Sequence, residues 1–498
     1  MTEQTNPADA SSASASVWRK DSYSLDHAFW VFLPIACLPC LTILLDGWQL
    51  LWFPHPACRT EAFILNGVQD AALGKPLYPP FGQMPYLVRV YNPLTYLPAA
   101  LIGKVLRLDV VGMLLAGRLI SLISSLLLAV LLFVWLRKYA GGWKAGLLAA
   151  VGLWFYHDMT LSEFFRLRPE SPALLFTFAG VAVFLSQHRH RLFIAASLFF
   201  VAFLFKQWFI AAPISAALFL LLSKEYKNVL RFASMMAGLL AAFFLTMYAL
   251  TGANYFYDTI LALAVNEMHP IEKFFHFRPF IVGSLWSLIL ALPVALTLLL
   301  LQRRCRFLLL YFCVSLLWTF VSTGKVGASF NYFGETSILA LAIVAAATVP
   351  QRRHDLAGVV VILFLLCLHL YAAVLNHGLL GAKMDVAMRD IGPYVERYKT
   401  MPGKKLLTDE LIAARVGEVV GLDWVLLEHL MHKGWIDLSP LCRQIADGDY
   451  DVCVFATLPI TALEMTMYTL AANGPYRLIF KDNTLIEFAR VERPTGEK

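Results

Sequence analysis

Between residues 29 and 375 the chain alternates long apolar runs with short polar breaks. Runs such as "MLLAGRLISLISSLLLAVLLFVWL" and "VVVILFLLCLHLYAAVL" approach or exceed the ~18 apolar residues that cross a bilayer. The pattern predicts helices at about 29–46, 113–136, 143–163, 170–186, 192–205, 208–222, 230–250, 280–301, 307–322, 333–349 and 356–375. Every second break is short and basic: "RKYAGGWK", "QHRHR", "SKEYKNVLR", "QRRCR" and "PQRRHD" each hold two or three Lys/Arg. Short basic loops stay on the cytoplasmic side, so eleven crossings with an inside N-terminus satisfy all five. Residues 192–222 are apolar apart from Lys206 and Gln207 at their centre. One crossing there would invert every later basic loop, so two short crossings are expected, with Lys206 at an outer hairpin.

The opposite face gathers the polar residues. Its first loop contains "TEAFILNGVQDAALGKPLYPP", residues 60–80. At about 100° per residue, Leu65, Val68 and Ala72 lie within roughly 40° of Glu61. Asn66, Gln69 and Asp70 form a separate polar face, so Glu61 stands on the apolar side. After residue 376 the pattern changes. "KKLLTDE", "DVCVFATL" and "RLIFKDNTLIEFARV" read as strands, the last a hairpin, and "LDWVLLEHLMHKG" reads as a helix. The expected architecture is mainly α: a polytopic membrane domain (29–375, with a first outer loop at 47–112), preceded by a polar tail (1–28) and followed by a small outer α/β domain (376–498).

Composition agrees: 59% of the residues are hydrophobic and 15% charged, with a mean hydropathy of +0.64, where soluble chains are nearer half and a quarter. The net charge of +7 therefore reports topology, and no nucleic-acid partner is expected. The tail lacks the adjacent apolar region and cleavage site of a signal peptide. Eight cysteines make no framework; Cys37 and Cys40 lie in an apolar run, and a Cys442–Cys453 disulfide is left open.

Carboxylates and cations crowded at one membrane surface suit a lipid substrate with a phosphate head. Transfer of a sugar from such a donor needs a carboxylate to take the acceptor's hydroxyl proton and fixed cations for the departing phosphate. That phosphate is a stable anion, so no cofactor is required; a divalent metal stays open, though no His/Cys/Asp cluster has ligand spacing. Walker, G-x-G-x-x-G and G-x-S-x-G motifs are absent in any fitting context.

An acidic residue in a long first outer loop, then "ALGKPLY", then "YNPLTYLP" resembles the GT-C superfamily of polytopic glycosyltransferases, which use polyprenyl-phosphate sugars and include the protein O-mannosyltransferases and lipid A aminoarabinose transferases. The likeness spans about 29–375 and is clearest at 61–98, 166–176 and 205–213. "GASFNYFGE" looks like a feature of the bacterial branch. The resemblance implies an inverting hexosyl- or pentosyltransferase of the bacterial inner membrane. Its partners would be a polyprenyl-phosphate sugar, the bilayer and a periplasmic glycolipid or envelope glycan, such as lipopolysaccharide. Residues 93–107 would lie along the membrane surface. Glu61 matches the family's acidic first-loop position, its general base, and Glu170 in "RPESP" the second acidic position. Arg168, Lys206 and Arg278 are placed to meet the donor phosphate. Relatives have a Lys where this chain has Val90-Tyr91-Asn92, and Arg89 is the nearest cation. Thr60 is expected to cap the helix, with the dipole helping to ionise a Glu61 that faces an arriving lipid.

Arg166, Gln207, Tyr91, Lys325, Asn331, Tyr332, Glu335 and His269 are further substrate-binding candidates. Each has a plainer reading: headgroup anchoring for the arginines, snorkelling for Lys206, capping for Asn331. His157–Asp158 reads as a satisfied intramembrane pair, and Asp258, Glu267, His269 and Glu272 as outer-loop groups that are solvated or, alternatively, bind the acceptor. Two other function classes remain: a flippase or transporter for a lipid-linked glycan, which would favour inverted repeats and midplane helix breaks, and a non-catalytic scaffold.

Overall fold

The structure is a computed structural model that describes residues 41, 44–154, 164–269, 271, 285–301, 305–325, 328–349, 359–366, 390–421, 423–456, 461–481 and 485–491. Most of the predicted 29–46 helix, the end of 143–163 and the stretch 367–389 lie outside these residues, as do His157, Asp158, Glu163, Glu272 and Arg278.

The chain is mainly helical. Val110–Tyr139, Tyr226–Thr251 and Arg306–Thr323 are long and apolar enough to cross a membrane. Glu170–Phe184, Arg191–Phe205, Ala211–Leu222 and Trp286–Leu301 are shorter apolar helices, and Gly334–Ala347 packs with them. Asp109 starts the first of these by accepting from the Gly112 amide at 2.8 Å, which satisfies one of the orphan donors of a helix start. The 192–222 run is two helices, Arg191–Phe205 and Ala211–Leu222, and Lys206 ends the first in extended conformation. Leu128, Leu132, Phe178, Phe199, Leu299 and Tyr311 meet in one large core. Tyr226–Thr251 buries only Phe232 and Met247; an apolar helix this exposed has the surface that lipid covers.

The first-loop helix spans Arg59–Ala72, and its N-cap is Cys58 with no side-chain bond. Thr60 is therefore not the cap; it lies inside the first turn. Residues 93–106 form a 3-10 turn, Pro93–Thr95, and a helix, Leu97–Leu106. The Arg59–Ala72 helix rests on them at Gly67, where an added Cβ would stand 2.5 Å from the Tyr96 ring.

The C-terminal part carries a four-stranded sheet of order β1-β2-β4-β3: β1 Lys405–Leu407, β2 Val452–Ala456, β3 Tyr476–Lys481 and β4 Leu485–Arg490. β1 and β2 are parallel, and the other pairings antiparallel. Trp424–His432 is the expected helix. Cys442 and Cys453 are free thiols, so the disulfide left open by the sequence is not formed; Cys453 is buried in β2.

This domain is bolted to the first loop. Gln69 donates to the Ala414 carbonyl at 2.9 Å, and Arg59 pairs with Glu410 at 3.0 Å. The Tyr86 amide donates to Val420 at 2.8 Å, and its ring joins the domain's core.

Candidate active site

The geometry separates the sequence candidates into two groups. Glu61 belongs to the first. It is fully buried and ion-paired with Arg118, whose Nε and Nη2 donate to the two carboxylate oxygens at 2.8 Å each. The Leu167 and Ala57 amides donate to the same oxygens at 2.8 and 2.6 Å. A carboxylate has about four lone-pair sites, and all are taken. Burial alone would raise its pKa, but the Arg118 charge and these bonds hold it below the usual range. The exposure toward an arriving lipid expected for Glu61 is not found. Arg118 also donates to the carbonyls of Leu50, Phe53 and His55 at 2.7, 2.5 and 2.8 Å, so the pair ties the first loop to a membrane helix.

Arg89 is likewise committed. It donates to Asn66 and Asp70 at 2.5 and 2.6 Å across the polar face of the Arg59–Ala72 helix, and it is 2% exposed. Its Nε has no partner among the described residues, but the buried side chain does not line the cavity where the second group gathers. Glu335 is buried between helices and accepts from Tyr311. His269 lies outside, facing Glu267, with 45% of its side chain exposed. Arg166 is half-buried, and Arg168 donates to Cys58 Sγ at 3.8 Å.

The second group meets at a cavity of about 580 Å³ between the membrane helices and the C-terminal domain. Lys206, Gln207, Tyr91, Lys325 and Tyr332 line it, and so do Thr60, Trp208 and Trp318. The break between the two helices of 192–222 is what turns Lys206 and Gln207 into its wall. Lys206 pairs with Glu170 at 2.5 Å, and Asn331 donates to the same oxygen at 2.6 Å. The ammonium also sits 5.0 Å from the Tyr332 ring centre and 5.6 Å from that of Tyr91, within cation–π range. Asn331 thus positions Glu170 and does not serve as a helix cap. Gln207 donates to the Val90 carbonyl at 2.8 Å, while its carbonyl oxygen is buried without a partner among the described residues. Trp208 stacks on Trp318 at 5.1 Å and meets Tyr332 edge-on at 4.4 Å.

Lys325 follows the Arg306–Thr323 helix. No carboxylate pairs with it among the described residues, and burial lowers its pKa to about 8. An amine stripped of water without a counter-charge is a prepared site for an anion. From the opposite wall the C-terminal domain contributes Asp423 and His429. Neither residue stands out in the sequence, where Asp423 precedes and His429 falls inside an ordinary amphipathic helix pattern. Arg118 was missed too, although a lone cation inside an apolar run is itself a signal.

Comparison with known proteins places the fold. Residues 80–162 match a family described as predicted membrane protein, DUF2142. No curated protein matches by sequence. The crystal structure of ArnT from Cupriavidus metallidurans bound to undecaprenyl phosphate is similar at a TM-score of 0.62 and 13% identity, covering 93% of this chain and 99% of that one. Its apo form matches equally. The oligosaccharyltransferase of Archaeoglobus fulgidus in its apo form is similar at a TM-score of 0.50 and 9% identity, over 93% of this chain and 75% of that one. The chain has the GT-C fold that these membrane proteins share, with the small sheet at its C-terminal end.

Proposed function

We propose that the chain is a glycosyltransferase of the bacterial inner membrane, moving a sugar with inversion from a polyprenyl-phosphate donor to an acceptor hydroxyl at the face that carries the C-terminal domain. The observation that carries this reading is the cavity at the head of the membrane helices, which combines aromatic walls with two lysines, one of them without a counter-charge among the described residues. The fold likeness to an ArnT bound to undecaprenyl phosphate supports the donor class.

In this reading Lys325 meets the donor phosphate first, because no carboxylate among the described residues pairs with it. Lys206 adds a second charge, with Glu170 and Asn331 fixing its position. Charge that builds on the phosphate as the glycosidic bond breaks is stabilised by these preorganised cations. Trp208, Trp318 and Tyr332 offer flat apolar surface for a sugar ring. The step asks for no cofactor, since the leaving group is already a stable anion. Glu61 and Arg118 hold the first loop against the membrane helices and so build one wall of the site.

The test compares surface glycans by mass spectrometry in a strain lacking the chain, and in that strain restored with the native chain or with Lys325→Gln at matched membrane abundance. Loss of one sugar in the deletion, restored by the native chain and not by the variant, is expected; the missing mass identifies the sugar class. Full restoration by Lys325→Gln removes the phosphate role. An unchanged glycan in the deletion removes the transferase reading and leaves a scaffold, whereas transport of a lipid-linked sugar with no transfer to any acceptor favours the flippase.

A further inference from the structure

Proton removal from the acceptor requires a carboxylate that faces the cavity with an oxygen to spare. Glu61 has none to spare, and Glu170, whose Oε1 is held by Lys206 and Asn331, is not among the residues that line the cavity. Among the described residues the cavity wall holds one carboxylate, Asp423, on the C-terminal domain. We propose that Asp423 is the catalytic base, so that the C-terminal domain completes the active site; this rests on the transferase reading above.

Three observations support the assignment. First, the side chain is held but not used up: Oδ1 accepts from the Leu426 amide at 3.2 Å, and no bond to Oδ2 occurs among the described residues. Second, the residue is anchored from both sides. Trp424, next in sequence, is fully buried and donates to the Thr408 carbonyl at 2.9 Å. The domain itself is fixed to the first loop through Arg59–Glu410, Gln69–Ala414 and Tyr86–Val420. Third, Asp423 has left-handed backbone angles, φ 60° and ψ 64°. A non-glycine residue there is uncommon, and such outliers gather at functional sites. Consistent with this role, burial pushes its carboxyl above the usual range, with the Leu426 amide, Arg59 and His429 pulling it back. A desolvated carboxylate is the stronger base.

The chemistry balances without a further reagent. The acceptor oxygen bonds to the anomeric carbon as that carbon's bond to phosphate oxygen breaks. The bonding pair leaves on the phosphate, beside Lys325 and Lys206. The hydroxyl proton passes to Oδ2 of Asp423, which later returns it to water.

Asp423→Asn and Asp423→Ser both keep an oxygen for the helix cap, and Asn also tolerates left-handed angles, but neither can take the proton. Each is expressed at matched abundance in the deletion strain for glycan mass spectrometry. Each is also purified to measure undecaprenyl phosphate binding by native mass spectrometry, with melting temperature as the check on folding. Both variants should bind undecaprenyl phosphate within about twofold of native while the glycan product falls by ~10²-fold or more. Asp423→Glu should recover part of the product. Native product levels with either variant, or equal loss of lipid binding and product, overturn the assignment. If the native chain itself restores no sugar and binds no undecaprenyl phosphate, the transferase reading fails, whatever Asp423 does.

Discussion

Two parts of this protein hold the same kinds of groups in opposite conditions. In the first loop, Glu61 with Arg118, and Arg89 with Asp70 and Asn66, are buried and ion-paired: each named charge meets an opposite one, though Arg89 Nε has no hydrogen-bond partner among the described residues. Around the cavity the partnering is incomplete. Lys325 lacks a carboxylate among the described residues, Gln207 Oε1 and Asn331 Oδ1 lack donors there, and Asp423 keeps one oxygen open. Burial alone therefore does not distinguish a structural charge from one prepared for chemistry. What distinguishes them is whether unspent charge or hydrogen-bonding capacity faces the cavity.

The largest effect should come from breaking the closed pair. Glu61→Gln leaves Arg118 as a buried charge with only neutral partners, and such losses cost about 3–5 kcal/mol. Membrane abundance and detergent melting temperature should both fall, before any question of activity arises. Replacing both partners, Glu61→Leu with Arg118→Leu, should be milder than the single change, since no charge is stranded. A Glu61→Gln chain that melts like native but transfers no sugar would reverse this and return Glu61 to the role of base.

Lys325→Gln should do the opposite. A partly buried lysine without a counter-charge contributes little to folding, so the melting temperature should hold or rise. Transfer should drop about 10²-fold, the usual effect of losing one preorganised electrostatic group. Affinity for undecaprenyl phosphate should also depend on pH, weakening as pH rises through about 8, where Lys325 loses its proton. Unchanged affinity from pH 7 to 9 would remove Lys325 from the phosphate site. Lys206→Met should fall between the two, because it strands the Glu170 carboxylate as well as removing a cation.

The same distinction explains what could be read from the sequence. Apolar run length and basic loops reveal the membrane helices, because both reflect the solvent around a single segment. They also settle the 192–222 hairpin, where Lys206 ends one helix. The angular position of Glu61 announces a buried carboxylate. Its partner, however, stands 57 residues away, and two of its donors are main-chain amides, which no side-chain pattern records. Asp423 was hidden for the converse reason. An Asp before an apolar helical stretch reads as an ordinary cap, and only the docking of the C-terminal domain turns it toward a cavity built by residues far away in the chain.

Asp258 connects the two regions and gives the smallest, most specific test. It is fully buried; one oxygen accepts from the Arg89 amide at 3.2 Å, and the other has no partner among the described residues. Its neighbour Thr259 lines the cavity and gives its carbonyl to Gln207 at 3.2 Å. Burial raises the Asp258 carboxyl to about 8, although the Arg89 amide and charge act against it. The folded chain then keeps the proton up to about pH 8, whereas the unfolded chain releases it near pH ~4. Because the folded form binds the extra proton, this group's contribution to stability is complete below pH ~4 and is lost as pH rises through the folded value. Asp258→Asn removes the titration. Its melting temperature, compared with native, should therefore improve steadily between pH 5 and pH 8. Parallel profiles would mean that Asp258 is ionised in the folded chain and that Arg89 outweighs burial. Asp258 would then belong with the closed network of the first loop.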